Sequence, residues 1–302
     1  MNSSTQARTK TPPIILSFAG SDPSGGAGIQ ADLLTQSALG CYALSVITTL
    51  TIQDSVGVYD TLAVRADWVA RQARTLLAEM PVAVFKIGLL GSLDNLRVIA
   101  RILEEHPKLP VVFDPVLASG RGDALIEQEM IAELRKLLLP QTTVLTPNSL
   151  EARRLSGLTA HQPLADCAQH LIADGCQQVL ITGAHEDQAS PEVRNHLYDQ
   201  HGLVRCDRWP RLTGSYHGSG CTLASALAAY LAWGYALPEA AAQAQAYTWQ
   251  TLANAYQPGQ GQWIPQRLYA LDPHNAPQEK SQAAPRPNRA LSLCENEGLH
   301  NV

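Results

Sequence analysis

Two stretches of this chain combine glycine with hydrogen-bonding residues at spacings suited to handling an anion. The first is Ala19-Gly20-Ser21-Asp22-Pro23-Ser24-Gly25-Gly26-Ala27-Gly28, which follows an apolar run and precedes a helical pattern carrying Asp32. Glycines at a strand-to-helix turn let the backbone approach a ligand closely, and the helix N-terminus adds partial positive charge. The segment is not a Walker A loop, which needs a lysine absent here, nor a clean GxGxxG. On its glycines alone, a tight turn without a ligand serves equally well. The second stretch is Tyr216-His217-Gly218-Ser219-Gly220-Cys221-Thr222, opening the helical pattern TLASALAAYLAW. Residues 218–221 can turn several backbone N–H groups the same way, an anion hole at a helix N-terminus. Such a hole stabilises the charge that develops on a phosphoryl group in transfer. Cys221 falls in the first turn, where a helix dipole tends to lower a thiol pKa. Read by itself, a small-residue helix start also serves close helix packing.

The elements that must position these stretches follow an alternating pattern. Strands are predicted at 14–19, 43–50, 82–88, 111–114, 143–146 and 178–182, each a short run rich in β-branched and other apolar residues. Helices are predicted near 27–39, 67–79, 93–105, 127–139, 149–156 and 164–174. Continuous apolar strands separated by helices imply a mostly parallel, doubly wound α/β sheet with helices on both faces. After residue 183 the segments HLYD and LVRC predict an antiparallel pair, followed by Ala-rich helices near 219–233 and 238–255. From Asp272 the chain is rich in Pro, Gln, Asn and Ala. The expected division is a flexible N-terminus over 1–13, a single domain over 14–271 and a disordered tail over 272–302.

Composition narrows the function classes. Of the 302 residues, 45% are hydrophobic and 16% charged, enough to build a substantial core without disulfide or metal. The formal charge of −5 and the absence of a basic stretch argue against nucleic acid as a partner. No stretch is apolar and long enough to span a bilayer. The six cysteines show no CxxC and no ladder of spacings, which reads as reduced thiols and a cytoplasmic location. A dinucleotide-dependent oxidoreductase fits poorly, because no acidic residue follows a true GxGxxG at the expected spacing.

Taken together, the two glycine-rich stretches resemble the ribokinase-like superfamily. Within it, AGSDPSGGAGIQADL followed by HGSGCTLASA is similar to the hydroxymethylpyrimidine/phosphomethylpyrimidine kinases of thiamin biosynthesis, over about residues 14 to 265. The resemblance implies a ribokinase-like fold, a small-molecule substrate, ATP and Mg²⁺ as cofactors, and a homodimer. Cys221 stands where many ribokinase-like sugar kinases carry an aspartate base, which favours the pyrimidine branch. By the same resemblance Gly20, Asp22, Asp32, Gln53 and Val116 lie at the substrate, Gln53 offering an amide to the aminopyrimidine edge. Asp114 and Glu151 are implied near Mg²⁺, and Asn148, Glu151 and Thr182 near the nucleotide phosphates. In the implied transfer, Cys221 assists as a weak base for the alcohol.

The chain departs from that family pattern at several points. The family's KGGH is Thr182-Gly183-Ala184-His185 here, and the lysine of its AKSG is missing from Ala118-Ser119-Gly120-Arg121-Gly122. Only five lysines occur in the chain, so Arg121 is the expected replacement cation near the phosphates. Leu89 replaces a methionine of KIGML, and Asp54 follows Gln53 where asparagine is usual. A carboxylate there is expected to repel a phosphorylated substrate from the ring edge. Two other readings stay open: a pyridoxal-type kinase, since vitamin B6 also presents a hydroxymethyl group on a nitrogen ring, and a pyrimidine- or nucleotide-binding relative without turnover.

Overall fold

The computed structural model of the chain describes residues 11–117, 128–159 and 161–271. Arg121, the segment 272–302 and residues 1–10 of the N-terminal stretch lie outside the described residues, so the expectations placed on them stand as stated.

Nine strands form one sheet in the order β3-β2-β1-β4-β5-β6-β7-β8-β9. The parallel part comprises β1 (Ile14–Ser21), β2 (Tyr42–Gln53), β4 (Val82–Ile87), β5 (Val111–Phe113), β6 (Val144–Leu145) and β7 (Gln178–Ile181). Three antiparallel pairings extend it: β3 (Val58–Ala63) on β2, and the pair β8 (Glu192–Asp199) and β9 (Gly202–Pro210) beyond β7. The expected doubly wound architecture is observed. The strand missing from the sequence reading is β3, whose residues are almost all exposed. An edge strand beyond the core carries no apolar run to announce it.

Side chains alternate across the pleat and build two cores. Leu16, Phe18, Phe85, Ile87 and Phe113 face one layer, containing α2 (Ala66–Glu79), α3 (Leu93–Glu104), α4 (Gln128–Leu137), α5 (Ser149–Ser156) and α6 (Leu164–Ala173). Ile15, Val84, Val112, Val144 and Leu180 face the other, where α7 (Ser219–Ala232) and α8 (Leu237–Ala253) pack. Alanines at 224, 226, 228, 229, 240, 241 and 244 are fully buried, so small side chains bring α7 and α8 together and onto the sheet. With α1 (Gly28–Ala38), every parallel strand has cover on both faces. Cys41, Cys167, Cys176 and Cys221 are free thiols as expected, whereas Cys206 departs from that reading and is disulfide-bonded. Among the described residues no helix is long and apolar enough to cross a membrane.

The chain begins in the middle of the sheet and winds outward from β1, first to β2 and then, on the other side, to β4. In open α/β sheets the crevice at such a switch point, outside the carboxyl ends of the strands, is where ligands bind. Gly20, Gly88, Asp114, Asn148 and Thr182 all stand at or just past those ends.

Candidate active site

The opening stretch becomes a tight turn between β1 and α1. Gly28 has φ of +58°, and a Cβ there would lie 2.4 Å from the carbonyl oxygen of Gly20, so only glycine closes the turn. Asp22 is fully buried at its centre. Its carboxylate accepts from the Ser24 N–H (2.8 Å), the Ser24 hydroxyl (2.7 Å) and the Ala27 N–H (2.7 Å), and pairs with His217 Nε2 at 2.8 Å. Burial pushes this carboxyl up, but the hydrogen bonds from His217 and Ser24 outweigh it and hold Asp22 below its ordinary value. Asp22 is therefore the clasp of the turn.

The second stretch begins α7. Gly218 caps the helix with φ of +77°, and a Cβ there would sit 2.0 Å from the carbonyl oxygen of Gly26. The two glycine turns thus meet backbone to backbone. An α-helix leaves its first N–H groups without intrahelical partners. In α7 these belong to Ser219, Gly220 and Cys221. A Cβ on Gly220 would face the Asp114 carboxylate at 3.7 Å, which places the end of β5 beside this helix start.

Beneath the turns lies a sealed ion pair. Lys86 Nζ is 2.8 Å from Asp32 Oδ1 and 2.9 Å from Oδ2, and the Ser225 hydroxyl donates to Asp32 Oδ1 at 2.7 Å. All three side chains are fully buried. Burial disfavours the Lys86 ammonium, yet Asp32, Cys221 and Asp114 around it raise its pKa, so it stays charged. Asp32, one of the residues expected near the substrate, is the counterion that keeps this lysine charged in the core.

Cys221 differs from expectation in its chemistry. Burial, opposed by Lys86 but reinforced by Asp114 and Asp32, pushes its thiol up to about 12. Burial outweighs the helix start and Lys86 here. Asp114 is raised to about 6 by burial and by Asp32, against the pull of Lys86. Glu151 is raised to about 8 by burial and the neighbouring Asp114 charge.

Asn148 and Glu151 form a capping box at the start of α5. Asn148 Oδ1 accepts from the Leu150 and Glu151 N–H groups (3.0 and 2.9 Å), and Glu151 Oε2 accepts from the Asn148 N–H (2.9 Å). Thr182, at the end of β7, bonds through its backbone to Pro147 and Ser149, which sets it beside Asn148. Asp114 and Glu151 are oxygen donors that repel each other in a buried setting, the situation a small dication relieves. Among the described residues no three His, Cys, Asp or Glu side chains gather into a metal site, so a metal here would complete its shell from phosphate and water.

The acceptor side is less closed. A Cβ on Gly20 would lie 3.0 Å from the Thr49 side chain and 3.2 Å from that of Leu89, so these three residues pack closely at the end of β1. Val116, half-buried, follows Asp114 at the same end of the sheet. Gln53 ends β2 on a hairpin that overhangs β1, tied there by the Thr51 hydroxyl donating to Ser21 O (2.9 Å). The hairpin tip is pinned to the segment after α8: Ser55 O accepts from the Gln262 N–H at 2.8 Å, and Ser55 Oγ from the Gly261 N–H at 3.3 Å. Asp54 is folded into that tip, accepting from the Val56 and Gly57 N–H groups (2.7 and 3.1 Å) and the Tyr59 hydroxyl (3.1 Å). These bonds shape the turn at the hairpin tip.

Sequence reading gave no role to Lys86, His217 or Arg267. Lys86 and His217 lie inside motifs that were quoted, and only their burial shows their part. Arg267 belongs to no motif; its guanidinium reaches Gly26, Gly218 and Thr222 from the far end of the chain.

Comparison with known proteins agrees with this geometry. The family profile described as phosphomethylpyrimidine kinase matches residues 22–266. The hydroxymethylpyrimidine/phosphomethylpyrimidine kinase of Salmonella typhimurium is 41% identical, covering 75% of this chain and 87% of that protein. Its counterpart from Streptomyces coelicolor is 37% identical over 83% of this chain and 93% of that one. Among solved structures, the Staphylococcus aureus pyridoxal kinase in complex with AMP-PCP and pyridoxal superposes with a TM-score of 0.76 at 28% identity, covering 86% of this chain and 94% of that one. The phosphomethylpyrimidine kinase of Clostridium difficile gives 0.68 at 33% identity, covering 78% and 97%.

Proposed function

The chain belongs to the hydroxymethylpyrimidine/phosphomethylpyrimidine kinase family, and from that membership we propose that it phosphorylates hydroxymethylpyrimidine, its monophosphate, or both, in thiamin biosynthesis. The observation that carries the reading is the meeting of two glycine turns at the switch point, one following β1 and one opening a helix N-terminus.

ATP is the donor, a reading supported by relatives crystallised with ADP or AMP-PCP. An oxygen of the acceptor attacks the γ-phosphorus in line, and the bond to the β-γ bridging oxygen breaks, releasing ADP. The N–H groups of Ser219, Gly220 and Cys221 meet the charge spread over the moving phosphoryl group. Gly20, Thr49 and Leu89 hold the ring, with Gln53 and Val116 at its edge. Mg²⁺ would be held by Asp114 and Glu151 and would neutralise charge on the nucleotide phosphates. A phosphate acceptor is already largely ionised at neutral pH and needs little base catalysis. With its thiol near 12, Cys221 stays protonated at neutral pH, and an alcohol acceptor gives up its proton to solvent water as the O–P bond forms. Thr182 and Arg121 stand as the residues in place of the two family lysines.

A second acceptor, pyridoxal, is favoured by the pyridoxal kinases among the structural neighbours. The cytoplasm suits a kinase supplied with ATP. A homodimer is supported by an apolar strip of Leu50, Ile52 and Leu62 on one face of the hairpin, these residues being 46%, 63% and 67% exposed.

The deciding experiment gives the purified chain Mg-ATP with hydroxymethylpyrimidine, its monophosphate or pyridoxal, and follows ADP release. Turnover on at least one pyrimidine is expected. Turnover on pyridoxal alone would move the assignment to the second reading. Binding of pyrimidine without turnover on any acceptor would make the chain a non-catalytic relative.

A further inference from the structure

Phosphoryl transfer requires the acceptor oxygen and the γ-phosphorus to be held in line at a fixed separation. Here the acceptor and the phosphoryl group are assigned to different turns, far apart in sequence, so something must fix one turn against the other. The Asp22–His217 pair makes one tie. Arg267, only 3% exposed, makes a more extensive one. Its Nη2 donates to the carbonyl oxygens of Gly26 (2.5 Å) and Gly218 (3.4 Å), one in each turn. Its Nε donates to the Thr222 hydroxyl (3.0 Å), which in turn donates to Gly218 O (2.8 Å). The arginine is itself anchored, because the Tyr247 hydroxyl on α8 donates to its carbonyl oxygen at 2.6 Å. A guanidinium is a rigid planar fork and can bridge fixed carbonyls in this way; an ammonium on a flexible stem cannot hold the same geometry.

We infer that Arg267 is a positioning residue for phosphoryl transfer, setting the spacing between the opening turn (20–28), which carries Gly20 on the acceptor side, and the phosphoryl turn (218–221). The inference rests on the kinase reading of those two turns. It requires that loss of the fork act on turnover and leave the affinity for each substrate nearly intact. Misplacement of about 1 Å between reacting groups costs on the order of 100-fold in rate.

The test uses the full chain with Mg-ATP and whichever pyrimidine the unaltered enzyme phosphorylates. Arg267→Lys is expected to lower kcat by about 10- to 100-fold while both KM values stay within about threefold. AMP-PCP should bind with unchanged stoichiometry, which separates misalignment from a loss of folded protein. In Arg267→Gly, added guanidinium ion should restore part of kcat, whereas ethylammonium should not. Thr222→Val should lower kcat less, and in combination with Arg267→Lys the losses should fall short of additive, because both act through one tie. A folded Arg267→Lys with unchanged kcat, or with its whole effect in one KM, would overturn the inference. If the Arg267 variants do not fold, Thr222→Val decides, and wild-type kcat there overturns it. Absence of turnover in the unaltered chain would sink the kinase reading, and this inference with it.

Discussion

At the scale of single residues, several side chains whose types suggest chemistry are occupied in making the site possible. Asp22 and Asp32 have the look of substrate ligands, yet both are sealed: one clasps a turn and the other neutralises Lys86. Cys221 sits where a nucleophile or base is plausible, but acidic neighbours and burial keep its thiol neutral. Cys221→Ser should therefore retain kcat on the monophosphate within about threefold, since hydroxyl and thiol are both uncharged there. Alkylation of Cys221 by iodoacetamide, followed by mass spectrometry, should be slow at pH 8. A kcat that collapses in Cys221→Ser would restore a chemical role for the sulfur. Asp22 makes a prediction in acid. Its folded pKa is depressed from 3.8, so its stabilisation is fully present above that value and is lost as the pH falls through the lower folded value. Below about pH 4 the thermal midpoint of the unaltered protein should fall more steeply than that of Asp22→Asn. At neutral pH Asp22→Asn should cost about 2 kcal/mol, the scale of hydrogen bonds to a charged group. Parallel slopes in acid would show that the Asp22–His217 pair contributes nothing to stability.

At the scale of elements, the site is made where strands end and turns touch. The β2–β3 hairpin is the least supported piece, because it projects past the core and is held by contacts of its tip at Ser55. A Cβ on Gly261 would fall 2.1 Å from Ser55 O, so Gly261→Ala must push the tip away. Gln53 rides on that hairpin. The KM for the pyrimidine is expected to rise by roughly tenfold, the order of one lost hydrogen bond, while the KM for ATP is unchanged. Steady-state kinetics with each substrate varied in turn reads both. Equal changes in the two KM values would mean that the hairpin does not serve the acceptor side. This element also marks where sequence reading stopped. The core strands announce themselves as apolar runs, and the helices by their spacing; β3 belongs to neither pattern, because its partner is one strand and the solvent.

At the scale of the molecule, one sheet with its switch point between β1 and β4 brings residues from six separate segments to one edge. That edge has two sides. One face of the hairpin carries Leu50, Ile52 and Leu62, exposed among the described residues. Leu62→Lys is expected to convert a dimer into a monomer, read by sedimentation velocity at matched concentration, with the fold retained. A monomer in the unaltered protein would remove the homodimer reading.

The sequence by itself determined the class of the fold, the position of nearly every core strand and helix, and the two glycine turns that identify the family. These are local quantities: side-chain periodicity follows from the pleat and the helical turn, and a glycine turn needs its residues in consecutive order. Only the tertiary structure decided which polar residues are spent on holding the two turns and the core together. Asp22 finds His217, Asp32 finds Lys86, and Arg267 finds Gly26 across nearly the whole chain. Whether a carboxylate is a ligand or a buried counterion depends on solvent access and on the charges around it, and both are set by segments distant in sequence.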